Sequence, residues 1–202
     1  MWRWLVQDWQ WPAASLFTAV FLLALAPLIT ALGGATLALV YVQLPIYLIH
    51  QWEEHTGDRF RLHVNRTIGG GREALTPAAT FWINSLLVWV FDLVFLYLAL
   101  AINPAAGLAA AYLPIVNGVG HIGPAIVQRA YNPGLVTSVL LFLPVGCWCV
   151  AQAGSEADLG AHAIGLGAAV GVHLIIIGYV VCRLARLPKA TEPADPDRIQ
   201  TS

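Results

Sequence analysis

Residues 13–32 read AASLFTAVFLLALAPLITAL, without one charged side chain. At 1.5 Å of rise per residue, a helix of about 20 residues is roughly 30 Å long, the thickness of a bilayer's hydrocarbon core. A helix is also the form this stretch takes in lipid, because it satisfies its backbone N–H and C=O groups internally. Apolar stretches of similar character follow at 35–50, 80–102, 105–128, 135–153 and 163–182. Composition agrees: 58% of the 202 residues are hydrophobic, 10% are charged, and the mean hydropathy is +0.71. A soluble domain carries about 25% charged residues. The reading is an all-α, polytopic transmembrane helix bundle of about six spans. It forms one domain over 1–182, followed by a basic, then Pro- and Asp-rich tail over 183–202 that is expected to be disordered. No basic patch of nucleic-acid type is present, so no nucleic-acid partner is expected.

Local signals refine this outline. Trp2, Trp4 and Trp9 precede the first span as an interfacial anchor. The long, aromatic, weakly basic lead marks that span as a mature helix and not a signal peptide. Pro27 predicts a kink in it. Pro45 predicts a bend in the second span, because it has no N–H for the Tyr41 carbonyl. The Gly167-x-x-x-Gly171 spacing allows a neighbouring helix to come close. Cys147, Cys149 and Cys182 all lie in apolar runs and read as buried thiols; the C-x-C pair has neither zinc-ribbon nor thioredoxin spacing. The polar connection 51–77 reads as partly surface-lying, with His55 and His63 facing headgroups or water. Its Gly69-Gly70-Gly71 run lacks the Lys-Ser/Thr of a phosphate loop.

The cationic residues fix an orientation. With six spans, Arg3, then Arg59, Arg61, Arg66 and Arg72, then Arg129, then Arg183, Arg186, Lys189 and Arg198 all fall on one side. These are every Lys and Arg in the chain. The positive-inside rule makes that side cytoplasmic, with both termini there, in a multi-pass protein of the inner cell membrane.

At the cytoplasmic end of the second span stands His50-Gln51-Trp52-Glu53-Glu54. On a helix, positions i, i+3 and i+4 share a face, so His50, Glu53 and Glu54 point one way. By itself the pentapeptide is equally an ordinary helix end with solvated charges. Its partners change that. His121 precedes Arg129 by eight residues, about 12 Å of helix, which puts it in the cytoplasmic half of the fourth span. Asn117 lies one turn deeper on the same face. The turn Tyr131-Asn132-Pro133-Gly134 opens the fifth span on that side as well.

His50-x-x-Glu53-Glu54, a downstream His121 and Tyr131-x-Pro133-Gly134, in that order, resemble the H-x-x-E-E family of bacterial membrane proteins. The resemblance runs from Gln43 to about Gly134. It implies a site of enzymatic character and supplies no substrate.

Three kinds of chemistry are compared with these residues, and two fit. In the first, His50, Glu54 and His121 hold a divalent metal, and Glu53 stays off it as general base. The pattern is similar to the H-x-x-E-H arrangement of metalloproteases, with Glu54 where a second histidine would stand. One fewer imidazole leaves zinc, manganese and iron open. A di-iron version needs more carboxylates, and only Asp58 is near in sequence. In the second, Glu53 or Glu54 pairs with His121 as a metal-free acid–base couple. In the third, an E-E-x-x-x-R intramembrane protease pattern, Arg59 falls one residue too late. Tyr131 is either a hydrogen-bond donor to the site or an interfacial aromatic, and Pro133-Gly134 is a tight turn without chemistry.

Asp92 and His173 both fall near the bilayer midplane. They read as a structural hydrogen bond between helices or as a proton path. The expected function is therefore a membrane enzyme, metal-dependent, hydrolytic or lipid-modifying, acting on a lipid or amphiphile. A transporter or proton-coupled carrier using Asp92 and His173 is the alternative, and a non-catalytic membrane interaction protein is the third.

Overall fold

The computed structural model describes residues 1–155 and 157–188, and every regular element among them is helical. Glu156, Lys189, Arg198 and most of the expected tail lie outside the described residues. Five helical runs are long and apolar enough to cross a membrane: Trp11–Thr67, Pro77–Ala101, Pro104–Gln128, Leu135–Ala153 and Leu159–Arg186.

The first run holds two of the expected passes. Within α1 (Trp11–Tyr41) the helix continues through Pro27, and the residue that leaves helical dihedrals is Gly34, at φ 79° and ψ 173°. Side chains rarely tolerate that backbone conformation, and glycine adopts it readily. The chain doubles back there. The Tyr41 hydroxyl donates to the Leu22 carbonyl at 2.8 Å, and Ala19 packs with Leu44 and Leu48. In a straight helix residues 22 and 41 would stand about 28 Å apart. Five runs therefore give six passes. The next break falls at Val42, where Pro45 has no amide for the Tyr41 carbonyl, and α2 (Gln43–His55) begins.

α2 carries the motif and runs through Glu54 to His55. Two left-handed residues follow, Gly57 (φ 67°) and Asp58 (φ 61°), before α3 (Arg59–Thr67). The Asp58 carboxylate is held by Arg61 Nε, at 2.9 and 2.8 Å. The polar connection is not loose. Asn65 bonds the Leu75 carbonyl and amide at 2.9 and 2.7 Å, and Val64, Ala74 and Leu75 pack against Val180.

The remaining elements start at recognisable signals. Thr76 caps the Ala79 amide, with Pro77 opening α4 (Pro77–Trp82). A wider π-helical segment, Ile83–Trp89, joins α4 to α5 (Val90–Ala101). α6 (Leu108–Gln128) lies centrally against α9 (Leu159–Arg186), whose first turn is capped by Asp158. Between them stand the short α7 (Leu135–Thr137), another π-helical segment at Ser138–Phe142 and α8 (Leu143–Ala153).

The close approach of α9 to α6 uses a different glycine from the pair expected. A Cβ at Gly165 would sit 3.1 Å from the Ala109 amide nitrogen, whereas nothing lies within 4 Å at Gly167 or Gly171. Of the cysteines, Cys149 is buried; Cys147 and Cys182 face outward from the bundle. The N-terminal tryptophans pack on the π-helical segment's entrance, with Trp2 stacked on Trp82 at 5.8 Å and Trp9 edge-on to Phe81.

Candidate metal centre

The end of α2 and the lower part of α6 bring His50, Glu54 and His121 together. One ligand atom from each lies within 4.8 Å of the others, and all three residues are buried. His50 Nε2 is 3.6 Å from Glu54 Oε2, one helical turn along α2. His121 Nε2 is 3.5 Å from Glu54 Oε1. The two imidazoles stand nearly perpendicular, 5.0 Å apart at their centroids.

The surrounding hydrogen bonds fix which nitrogen of each ring carries the proton. Asn132 Nδ2 donates to the His121 carbonyl at 2.9 Å, which turns Asn132 Oδ1 toward His121 Nδ1 at 2.8 Å. An amide oxygen only accepts, so Nδ1 is an N–H, and in the neutral ring Nε2 keeps the lone pair. The Thr137 hydroxyl donates to Glu53 Oε2 at 2.5 Å, so toward His50 Nδ1, at 2.8 Å, it accepts. His50 therefore also keeps its lone pair on Nε2, an atom for which the protein provides no partner. An outer partner that fixes the tautomer of a ligating histidine is a regular part of metal sites.

A second buried relay approaches from the other side. The Trp89 indole N–H donates to Gln51 Oε1 at 2.6 Å, and Gln51 Nε2 donates to Asn84 Oδ1 at 2.9 Å. Asn84 Nδ2 then reaches the Thr80 carbonyl at 2.8 Å and His55 Nε2 at 3.1 Å. An indole only donates and a carbonyl only accepts, so both amides are oriented. His55 Nε2 is thereby an acceptor, yet it lies 3.0 Å from Glu54 Oε2. The lone pairs of His50 and His121 and both Glu54 oxygens share one buried space, while that of His55 is taken by Asn84. Such an acceptor set calls for positive charge, as protons or as a cation. His55, read from sequence as facing headgroups or water, belongs to this centre instead and is buried against Trp11 and Phe60. His63 is half-buried and outside the cluster.

Glu53 faces a different environment. Tyr131 Oη and the Val136 amide donate to its Oε1 at 2.9 and 3.1 Å; the Thr137 amide and hydroxyl donate to its Oε2 at 2.8 and 2.5 Å. These four bonds fill the lone pairs of a carboxylate. Tyr131 thus acts as a donor to the motif. Its partial burial, with the Glu53 bond adding, pushes the phenol above its ordinary range and keeps it protonated. Gly134 explains the rest of the turn. At φ 99°, a Cβ there would lie 2.7 Å from Cε1 of both His50 and His121. The Gly134 backbone passes directly against the two rings.

Phe142 covers His50 at 4.2 Å between centroids, and Phe60 lies 5.8 Å from His121. Asp92 and His173 are not brought together. No ion pair joins them among the described residues, and the Asp92 oxygens are buried without a partner. A cavity of about 920 Å³ opens at the other end of the bundle, among Thr36, Asn103, Gln152 and Asp158, and no ligand-set residue lines it.

Residues 41–149 match the model of the family described as a protein of unknown function with HXXEE motif, which covers just over half of the chain. No curated protein and no solved structure matches.

Proposed function

The chain belongs to the HXXEE family, and on that footing we propose that it is a metal-dependent membrane enzyme. Its cation is held by His50 Nε2, His121 Nε2 and Glu54. The observation that carries this reading is the donor-poor space around Glu54, into which both histidines present lone pairs fixed by Asn132 and Thr137. Two imidazoles and one carboxylate are the protein donor set of catalytic zinc sites and of mononuclear iron sites, with positions left open for a reactant. Manganese belongs to the same group of candidates. Such an ion supplies Lewis-acid polarisation of a bound carbonyl or phosphoryl oxygen.

The residues around it have distinct tasks in this reading. Glu53 positions the 131–137 turn and, through Thr137, the His50 ring. His55, held through Nε2 by Asn84, closes the pocket on one side of Glu54. Phe60 and Phe142 exclude bulk water. The cation-rich loops support a location of the centre at the cytoplasmic leaflet of the inner membrane. A lipid or amphiphilic substrate fits a site reached from within the bilayer. An apolar groove of about 250 Å³, lined by Trp9, Trp11, Leu44, Leu48 and Trp89, supports this. It shares its Trp11 wall with His55, 4.9 Å away, and suits a hydrocarbon chain.

The test is lipid analysis of membranes from cells making the wild-type chain, His50→Ala or Glu54→Gln at equal levels. A lipid consumed or formed only with wild type supports the reading. Identical profiles, with wild-type protein carrying its metal, count against a lipid substrate.

A further inference from the structure

A second set of polar side chains lies deeper in the bundle than the ligand set. Val88, Leu113 and Ala169 pack with Tyr47 in one buried cluster. Asp92, Asn117 and His173 each follow one of these by four residues on the same helix, and so share its face. Tyr47 precedes His50 by three residues, and Asn117 precedes His121 by four, about 6 Å along the helix. The Tyr47 hydroxyl lies beside the Asn117 side chain and within electrostatic reach of Asp92. The group therefore extends inward from the metal centre.

Its hydrogen-bonding balance is one-sided. The protein provides no partner for Asp92 Oδ1 and Oδ2, Asn117 Oδ1 or His173 Nε2, nor for Gln43 Oε1 one turn further along α2. His173 Nδ1 faces the Ala169 carbonyl at 2.8 Å and must be the N–H, which leaves a lone pair on Nε2. The amide oxygens and His173 Nε2 accept, and the Asp92 carboxyl offers an acceptor oxygen in either protonation state. Stranding several buried acceptors together is costly, so the occupant they fit is a small donor. Water donates two hydrogen bonds and is held inside proteins where two to four polar partners converge.

We propose that Tyr47, Asp92, Asn117 and His173 form an internal hydration site, a short file of bound waters running from the ligand set to Asp92. It supplies water to a centre that Phe60 and Phe142 close off from bulk solvent. The inference goes beyond the metal reading and stands without it.

Radiolytic hydroxyl footprinting of the full chain in lipid nanodiscs tests this, because a side chain beside bound water is oxidised even when bulk water cannot reach it. Tyr47 should be oxidised several-fold faster than Phe81, which is comparably buried in an aromatic cluster. Asn117→Leu and Asp92→Leu should each lower Tyr47 oxidation several-fold, with metal content per chain unchanged. Tyr47 oxidised no faster than Phe81, or at the wild-type rate in both folded variants, overturns the proposal. If neither variant folds, the wild-type comparison decides alone. Loss of metal from wild type with Tyr47 still labelled would break the metal reading and leave this one intact.

Discussion

The turn closed over Glu53 and the pocket around Glu54 belong to adjacent residues and have opposite hydrogen-bond balances. Glu53 receives four donors from Tyr131, Val136 and Thr137. Glu54 meets three imidazole nitrogens, at 3.0, 3.5 and 3.6 Å, and the outer hydrogen bonds leave the lone pairs of two of them, on His121 and His50, turned inward. Burial does not separate them, since both residues are buried. The lesson is that the balance of donors and acceptors distinguishes a carboxylate that fastens the fold from one placed to meet a cation.

The comparison can be broken at its shared boundary. Gly134→Ala should have the largest effect, because the new Cβ meets both rings at 2.7 Å and the backbone is left-handed. Strain of about 1–3 kcal/mol is expected from the backbone alone. Displacement of both histidines should also abolish metal retention, and thermal melts with metal analysis check both effects.

Exchanging each carboxylate for its amide sharpens the contrast. Glu53→Gln places an NH2 group against donors and should destabilise the fold by about 1–3 kcal/mol. As an outer-partner change it should also weaken metal affinity about 10–100-fold. Glu54→Gln should eliminate metal binding and leave the melting temperature equal to or above that of metal-free wild type, since an amide donor enters an acceptor-rich space. Equal effects of the two substitutions on stability would sink the distinction. Trp89→Phe removes the donor that starts the relay to His55 and should cost about 1 kcal/mol. Away from the site, Gly165→Ala should destabilise by about 1 kcal/mol through contact with α6, while Gly167→Ala should be neutral or slightly stabilising.

Much of this was legible in the sequence. Long apolar stretches marked out the passes, and helical spacing with sidedness brought His50, Glu54 and His121 to one end. The hairpin turn falls at Gly34, in the gap between the first two apolar runs. The outer partners were hidden for physical reasons. Gln51 and Asn132 stand at positions that the two motifs leave unspecified, and their contacts depend on side-chain packing across helices. Thr137 lies past the turn and reaches His50 only because Gly134 lets the backbone pass the rings. His55 sits beside a charged segment, which resembles a solvated end. Trp11, far back in the first helix, and Phe60, beyond the left-handed turn, bury it. Asp92 and His173 share a depth by helix counting, but depth does not specify azimuth, and the helices do not pair them.

The most direct test of the central claim is the metal content of purified protein in lipid nanodiscs, after exposure to zinc, manganese and ferrous iron and removal of free ions. The account predicts one divalent ion per folded wild-type chain, none in Glu54→Gln, and close to one in Glu53→Gln at saturating metal. Folded wild-type protein that retains no stoichiometric ion from any of the three would contradict it.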